Sequence, residues 1–486
     1  MGDFLPTYWP HILFVLSLAL GVPAAIHATM TKEEVRAAIG WVGVIILSPV
    51  IGAVIYAVAG INRIRRSSIS SQRAFLHEIG QDHLMRFDAS EQNVLAHFDK
   101  RFVAMKTVGD RVSRCRLTTG NEIAMLQSGD KAYCAMLEAI DTAKRSILVE
   151  TYIFDRDKIG LRIADALIAA VKRGVEVRVL IDAVGARYSI PSIVGYLAKG
   201  GVPVNVFNGN IIMGLRLPYA NLRTHRKILI VDGTIAFTGG MNIRAGFSAE
   251  VVGEDNARDT HFRLTGPIVT DLFHIASEDW RFTTREVLSG EPWLIGSPEK
   301  RAGEPVFIRA VPSGPDRSLE ANHRMLMGAF SVAQSRIRIM SPYFLPDREL
   351  VSAIVTAARR GVEVDVIVPA INNLKLVDRA MTAQFDQILK GHCRIWRASG
   401  NFNHSKLLVI DGLWAYVGSS NLDPRSLRLN FEVDLEVMDA QFARDVEGLV
   451  DTAMATAKPV LLQSLRARSF WVRLIDRIIW LGSPYL

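Results

Sequence analysis

Two stretches of this 486-residue chain carry the same set of reactive side chains at the same spacing. One is "HRKILIVDGTIAFTGGMNI", His225 to Ile243, and the other is "HSKLLVIDGLWAYVGSSNL", His404 to Leu422. Each opens as H-x-K-x-x-x-x-D, giving His225, Lys227 and Asp232 in the first and His404, Lys406 and Asp411 in the second. Residues two apart on a strand share a face, so each copy aims an imidazole and an ammonium at one spot beside an apolar run. Burying such a pair is costly unless an anion meets it. The donors suit phosphate oxygens. A metal site is the competing reading of His with Asp, but a lysine directed at the same place would repel a divalent cation. No metal and no cofactor is therefore expected, since two lysines can neutralise the non-bridging oxygens and the charge developing on them. Two histidines can then divide the work. A neutral one attacks phosphorus to give a phosphohistidine. A protonated one protonates the leaving oxygen and then deprotonates an incoming alcohol or water. An ordinary imidazole pKa of about 6.5 makes both forms available near neutrality.

These residues need hairpins to hold them. Asp-Gly at 232–233 and 411–412, between apolar alternating runs, signals a two-residue turn. Counting back from that turn pairs Ile410 with Leu413 and sets Ser419 opposite His404, with Asn421 just beyond. In the first copy the same count sets Gly240 opposite His225, with Asn242 beyond. Asn242, Ser419 and Asn421 thus join the phosphate-binding candidates.

The repeat extends well past the motif. "VKRGVEVRVLID" (Val171 to Asp182) returns as "ARRGVEVDVIVP" (Ala358 to Pro369), each reading as a helix closed by a C′ glycine that feeds an alternating strand. "ILVETYIF" (Ile147 to Phe154) and "IRIMSPYF" (Ile337 to Phe344) are the strands entering those helices. The expectation is a duplicated α/β chain, with a first domain over residues 115–290 and a second over 305–460. A Gly-, Pro- and charge-rich seam runs from Leu288 to Pro305, and a polar connector with one or two helices covers 67–114.

Composition and the chain ends set the surroundings. A formal charge of +8 draws the chain to polyanions, either nucleic acid or an anionic membrane. The cysteines Cys115, Cys134 and Cys393 show no paired spacing, which fits a reducing compartment. Phe4 to Thr31 and Ile39 to Asn62 contain no Lys, Arg, Asp or Glu, and each is long enough to span a bilayer as a helix. Residues 1–66 therefore read as a membrane anchor of two spans, which argues against a nucleic-acid partner. Arg63, Arg65 and Arg66 follow the second span and place the rest of the chain in the cytoplasm by the positive-inside rule. At the other end, residues 466–486 contain Trp471, Leu474, Ile475, Ile478 and Ile479 at helical spacing opposite Arg473, Asp476 and Arg477. Such a helix suits either the lipid interface or the protein's own body.

The paired motifs with their downstream G-x-x-N resemble the phospholipase D superfamily. The two N-terminal runs, "SPYFLPD" (Ser341 to Asp347), "GSSNLDPRSLRLNFE" (Gly418 to Glu432) and the terminal "SPYL" resemble, within it, bacterial cardiolipin synthases. The resemblance implies a phospholipase D-like α-β-α sandwich with mixed sheets in each half, behind two transmembrane helices. It implies an enzyme of the bacterial cytoplasmic (inner) membrane, multi-pass and facing the cytoplasm. That enzyme would make cardiolipin from two phosphatidylglycerols, with glycerol released and anionic lipid as partner. Phospholipid hydrolysis is the alternative outcome of the same residues, and an idle membrane scaffold the alternative of another class. The resemblance also implies that Asp259 and Glu432 orient the histidines and that Asp232 and Asp411 serve the local fold. It assigns the attack on phosphorus to His225. Gly240 departs from the family pattern, standing where a phosphate-binding serine is common.

Overall fold

The computed structural model describes residues 4–32, 34–60, 87–208, 222–295, 305–316 and 318–483. Arg63, Arg65 and Arg66, part of the seam and the last three residues lie outside that set. The apolar N-terminal helices form one compact unit, and the remainder of the chain forms another.

In the first unit, Tyr8–Thr31 is long and apolar enough to cross a membrane. The second run does not form the expected span. It breaks at Ser48 into Val35–Leu47 and Pro49–Ile55, followed by a π-helical turn Tyr56–Gly60. Pro49 disfavours helical geometry at the residue before it, and Ser48 sits at φ −146° and ψ 80°. The chain then folds back: the rings of Trp41 and Tyr56 lie 5.3 Å apart. In a straight helix those positions would be about 22 Å apart. Gly52 permits the corner, since a Cβ there would come within 2.5 Å of the Val44 carbonyl oxygen. Tyr56 Oη also bonds His27 Nδ1 at 2.7 Å, tying the bent pair to the long helix.

The second unit is built on one continuous mixed sheet whose two halves mirror each other. From the outer edge of the first half inward, the strands are Val204–Phe207, Glu176–Asp182, Ser146–Thr151, Lys227–Val231, Ile235–Gly239, His261–Thr265 and Thr118–Leu126. Across the seam follow Val306–Ser313, Asn430–Met438, Trp414–Gly418, Leu407–Ile410, Arg336–Met340, Glu363–Pro369 and Arg394–Ala398, with Lys458–Pro459 at the far edge. The three outermost repeat strands of each half run parallel and the inner ones antiparallel. Parallel neighbours need crossover helices. These are Lys158–Lys172 and Arg348–Arg359, each capped by an aspartate (Asp157, Asp347) and closed by a glycine in left-handed geometry (Gly174 at φ 87°, Gly361 at φ 96°). The connector is not a loose linker. Its helices Glu91–His97 and Lys100–Val112 bury Val94, Phe102 and Met105 in the core of the second half.

The hairpin register differs from the count by one residue. Val231 pairs with Ile235 and Ile410 with Trp414, so Thr234 and Leu413 are extra residues at the turns. Both turns keep the left-handed aspartate and glycine of an Asp-Gly signal, at φ 53° and 63° for Asp232 and Gly233. The motif aspartates sit here, at the far end of the strands from the histidines. Asp232 accepts from the backbone N–H of Lys144, Arg145 and Ser146 at 2.7–3.0 Å. Asp411 accepts from the N–H of Gln334, Ser335 and Arg336, from the Ser335 hydroxyl and from the Arg101 guanidinium. Both clamp the start of a neighbouring strand and neither lines the cavity that holds the histidines, the placement expected of residues that serve the local fold.

Burial acts to raise the Asp411 pKa, but the Arg336 N–H and the other donors outweigh it and depress the carboxyl from 3.8 to about 2. Its stabilisation is therefore fully present above 3.8 and lost as pH falls through about 2. Asp411→Ala should cost about 2–3 kcal/mol by stranding several donors. In thermal unfolding, the gap between variant and parent should be full near neutrality and close as pH falls from 3.8 toward 2. A gap independent of pH would mean that the carboxylate charge contributes nothing.

Candidate active site

Each histidine is held by the opposite half. The His225 N–H donates to the Phe431 carbonyl at 2.8 Å, and its ring Nδ1 meets Glu432 Oε2 at 2.9 Å. The His404 N–H donates to the Arg258 carbonyl at 2.7 Å, and its Nδ1 meets Asp259 Oδ2 at 2.8 Å. Asp259 and Glu432 occupy matching places in the repeat: Gly240 N–H donates to the Thr260 carbonyl as Ser419 N–H does to Val433. The middle residues of H-x-K reach across as well. Arg226 Nε donates to the Glu432 carbonyl at 3.0 Å, and Ser405 Oγ lies 2.9 Å from Thr260 Oγ1.

An ionised carboxylate only accepts, so each Nδ1–H donates and Nε2 carries the ring's lone pair, which at His404 lies 3.0 Å from Lys406 Nζ. Burial acts to raise both acids, but His404 and Lys406 hold Asp259 below its usual value, and His225, Lys227 and Ser419 do the same for Glu432. The cations are pushed the other way. Burial and then Lys406 lower His404 to about 4, and burial lowers His225. Burial also lowers Lys227 to about 7 and Lys406 to about 8. The protein's own groups thus bias both imidazoles toward the neutral form. Each lysine curls under its histidine: Lys227 Nζ donates to the His225 carbonyl at 2.6 Å, and Lys406 Nζ to that of His404 at 2.5 Å.

Both histidines line one cavity of about 530 Å³ in the catalytic unit, together with Asn242 and Asn421. Apolar walls come from Phe247, Leu374 and Phe402. The site also contains cations that the motif search passed over, Arg223, Arg244 and Arg425. Each lies within four residues of a motif histidine or asparagine, a proximity that could have flagged it. Arg223 and Arg244 approach Asp182 and Asp155 at 3.9 and 3.2 Å. Arg425 makes no ion pair among the described residues.

Ser419 is absent from the cavity wall. Its hydroxyl donates to Glu432 Oε2 at 2.6 Å, against the carboxylate that holds His225. The one-residue shift in register accounts for the difference, because it removes Ser419 from the position opposite His404.

A profile described as "Cardiolipin synthase, PLD-like domain" matches residues 136–252 and 326–453, and one described as "Phospholipase D-nuclease N-terminal" matches residues 19–60. The chain belongs to the cardiolipin synthase family of phospholipase D-like enzymes. It is 31% identical to cardiolipin synthase A of Pseudomonas aeruginosa, covering 98% of this chain and 96% of that one. It is 29% identical to cardiolipin synthase A of Pseudomonas fluorescens, covering 99% of both. Among solved structures, phosphatidylserine synthase of Haemophilus influenzae shares the fold, with a TM-score of 0.59 over 79% of this chain and all of that one at 18% identity.

The departure at Gly240 now has a physical account. A Cβ at Gly240 would lie 2.4 Å from Asp259 Oδ1. In the second half the longer Glu432 leaves room for Ser419. In the first half the shorter Asp259 sits against the bare glycine and still reaches His404. Glycine with aspartate and serine with glutamate are two solutions to one distance. Gly240→Ser should push Asp259 off His404 and lower turnover at least about tenfold, the loss of a charge-assisted bond. Gly240→Ser with Asp259→Glu copies the second half's pair and should recover most of it. No recovery in the double variant, measured on the lipid substrate, would refute the pairing.

Proposed function

We propose that this protein is a membrane-anchored phosphatidyltransferase that joins two phosphatidylglycerols into cardiolipin and releases glycerol. The observation that carries this reading is the pair of carboxylate-anchored imidazoles facing one cavity with two buried ammonium groups behind them. Names of the full-length relatives supply the lipid. The Tyr8–Thr31 helix supplies the proposed anchor, in a bacterial cytoplasmic membrane, and the arginines at 63, 65 and 66 favour a cytoplasmic catalytic body.

In the proposed reaction, Nε2 of His225 attacks phosphorus and the P–O bond to glycerol breaks. The departing oxygen takes a proton from His404. His404, now neutral, removes the proton from the hydroxyl of a second phosphatidylglycerol, whose oxygen attacks phosphorus as the P–N bond breaks. Lys227 and Lys406 offset the charge on the non-bridging oxygens, and Asn242 and Asn421 add donors. Burial and Lys406 keep His404 neutral until a phosphodiester brings negative charge beside the lysines. Loading of the acid is then tied to substrate arrival, which suits a buried imidazole with a pKa of about 4. Assignment of the attack to His225 follows the superfamily resemblance, since the two carboxylate distances, 2.9 and 2.8 Å, are alike. Water as acceptor would make the same protein a hydrolase, and the apolar cavity walls favour the lipid alcohol.

Purified protein in phosphatidylglycerol micelles should yield cardiolipin and free glycerol. Phosphatidic acid as the main product would establish hydrolysis, and no turnover would leave only the scaffold.

An activated p-nitrophenyl phosphodiester needs no acid to leave. His404→Ala should therefore give a burst of one p-nitrophenol per active site, and His225→Ala none. A burst from His225→Ala alone would reverse the two roles.

A further inference from the structure

The C-terminal helix Phe470–Leu481 faces the opposite way from an ordinary surface helix. Its acid points inward: Asp476 is 2% exposed and accepts from Arg379 and Arg468, both at 2.7 Å. Ile479 and Trp480 pack on the core beside it. Its apolar stripe points outward. Trp471, Ile475 and Ile478 follow i, i+4, i+7 spacing on one face, and Trp471 and Ile478 are 69% and 58% exposed. The sequence left this helix open between the lipid interface and the protein's own body. The fold docks it on the body through two ion pairs and turns its apolar side away.

We propose that this stripe, with the groove beside it, is a docking surface for the headgroup and upper acyl layer of an anionic phospholipid leaflet. Two observations select that occupant. The first is charge. A groove of about 470 Å³ along the helix is lined by Arg466, Arg468, Arg473, Arg477 and Lys390 against the single acid Asp386. Asp386 is shared by Arg466 and Lys390. Arg473 has no ion pair among the described residues. Cations flanking an exposed apolar stripe are the pattern of a helix lying in an anionic interface. The second observation is continuity with the catalytic cavity. Ser483, just past the helix, lines that cavity. So do Tyr188 of the first half and Leu374 of the second, both exposed, with Ile190 at 96% exposure near Tyr188 in the chain. The apolar surface therefore meets the cavity mouth. The continuity rests on the proposed lipid substrate, whereas the stripe and the groove stand without it.

The test uses the full chain in vesicles, with a spin label at Ile478→Cys after Cys115→Ser and Cys134→Ser. With phosphatidylglycerol in the bilayer the label should be more accessible to oxygen than to a water-soluble nickel chelate, and less so in phosphatidylcholine alone. A label that stays water-accessible on phosphatidylglycerol overturns the proposal. So does label–label broadening, which would show a second copy on the stripe. As a functional arm, Trp471→Asp with Ile478→Asp should lower turnover on phosphatidylglycerol bilayers about tenfold, as lost interfacial area predicts. Turnover on short-chain phosphatidylglycerol dispersed in detergent should stay within about twofold of the parent, because that substrate needs no leaflet contact. Equal loss on both substrates would show a merely structural helix and overturn the proposal. If the protein proves not to be a synthase, the label depth still decides.

Discussion

The exchange of carboxylates across the seam governs this structure. His225 depends on Glu432 and His404 on Asp259, so neither half contains a competent imidazole by itself. Removing one partner of a buried hydrogen bond strands the other and costs about 1–3 kcal/mol, more where the stranded group is charged. Such pairs hold only if the strands bearing them are placed to within a few tenths of an ångström. The continuous sheet provides that placement: Thr118–Leu126 joins Val306–Ser313 across the seam, and Val306–Ser313 pairs along most of its length with Asn430–Met438, the strand that carries Glu432. Buried Arg309 reinforces it, bonding Glu436 on the neighbouring strand and Asp110 on the connector helix. The connector is thereby drawn into the catalytic body.

Much of this was legible in the chain because local chemistry declares itself. The duplicated H-x-K-x-x-x-x-D motif, the crossover helices and the Asp-Gly turns depend on neighbours within a few residues. What depends on distant neighbours was not. The resemblance names Asp259 and Glu432 as orienting acids but does not tell that each serves the histidine of the other half. The extra residues Thr234 and Leu413 are invisible to a count that begins at Asp-Gly, and one residue is enough to move Ser419 from its place opposite His404. The second apolar run failed as a span for a local reason that could have been weighed: Pro49 constrains Ser48, and Gly52 lets the helices close on each other.

The two halves are alike in fold and unlike in detail. The Gly240–Asp259 and Ser419–Glu432 pairs show how a duplicated scaffold keeps one distance with different residues. The electrostatics differ too, with burial and Lys406 forcing His404 to about 4. A symmetrical frame thus carries two histidines in different electrostatic surroundings, the distinction arising from side chains around each ring and not from the strands beneath.

The crossed pairs also order events during synthesis. His225 lies 207 residues before Glu432. At roughly 5–20 residues per second, those residues take about 10–40 s to emerge from a ribosome. Throughout that interval the first imidazole has no carboxylate, and the sheet that will bury it lacks its central neighbour. A chain cut short just before residue 432 would therefore carry both motifs and the His404–Asp259 pair, yet leave His225 without its carboxylate. On the proposed two-histidine mechanism such a fragment is inert, and activity awaits the last stretch of the chain.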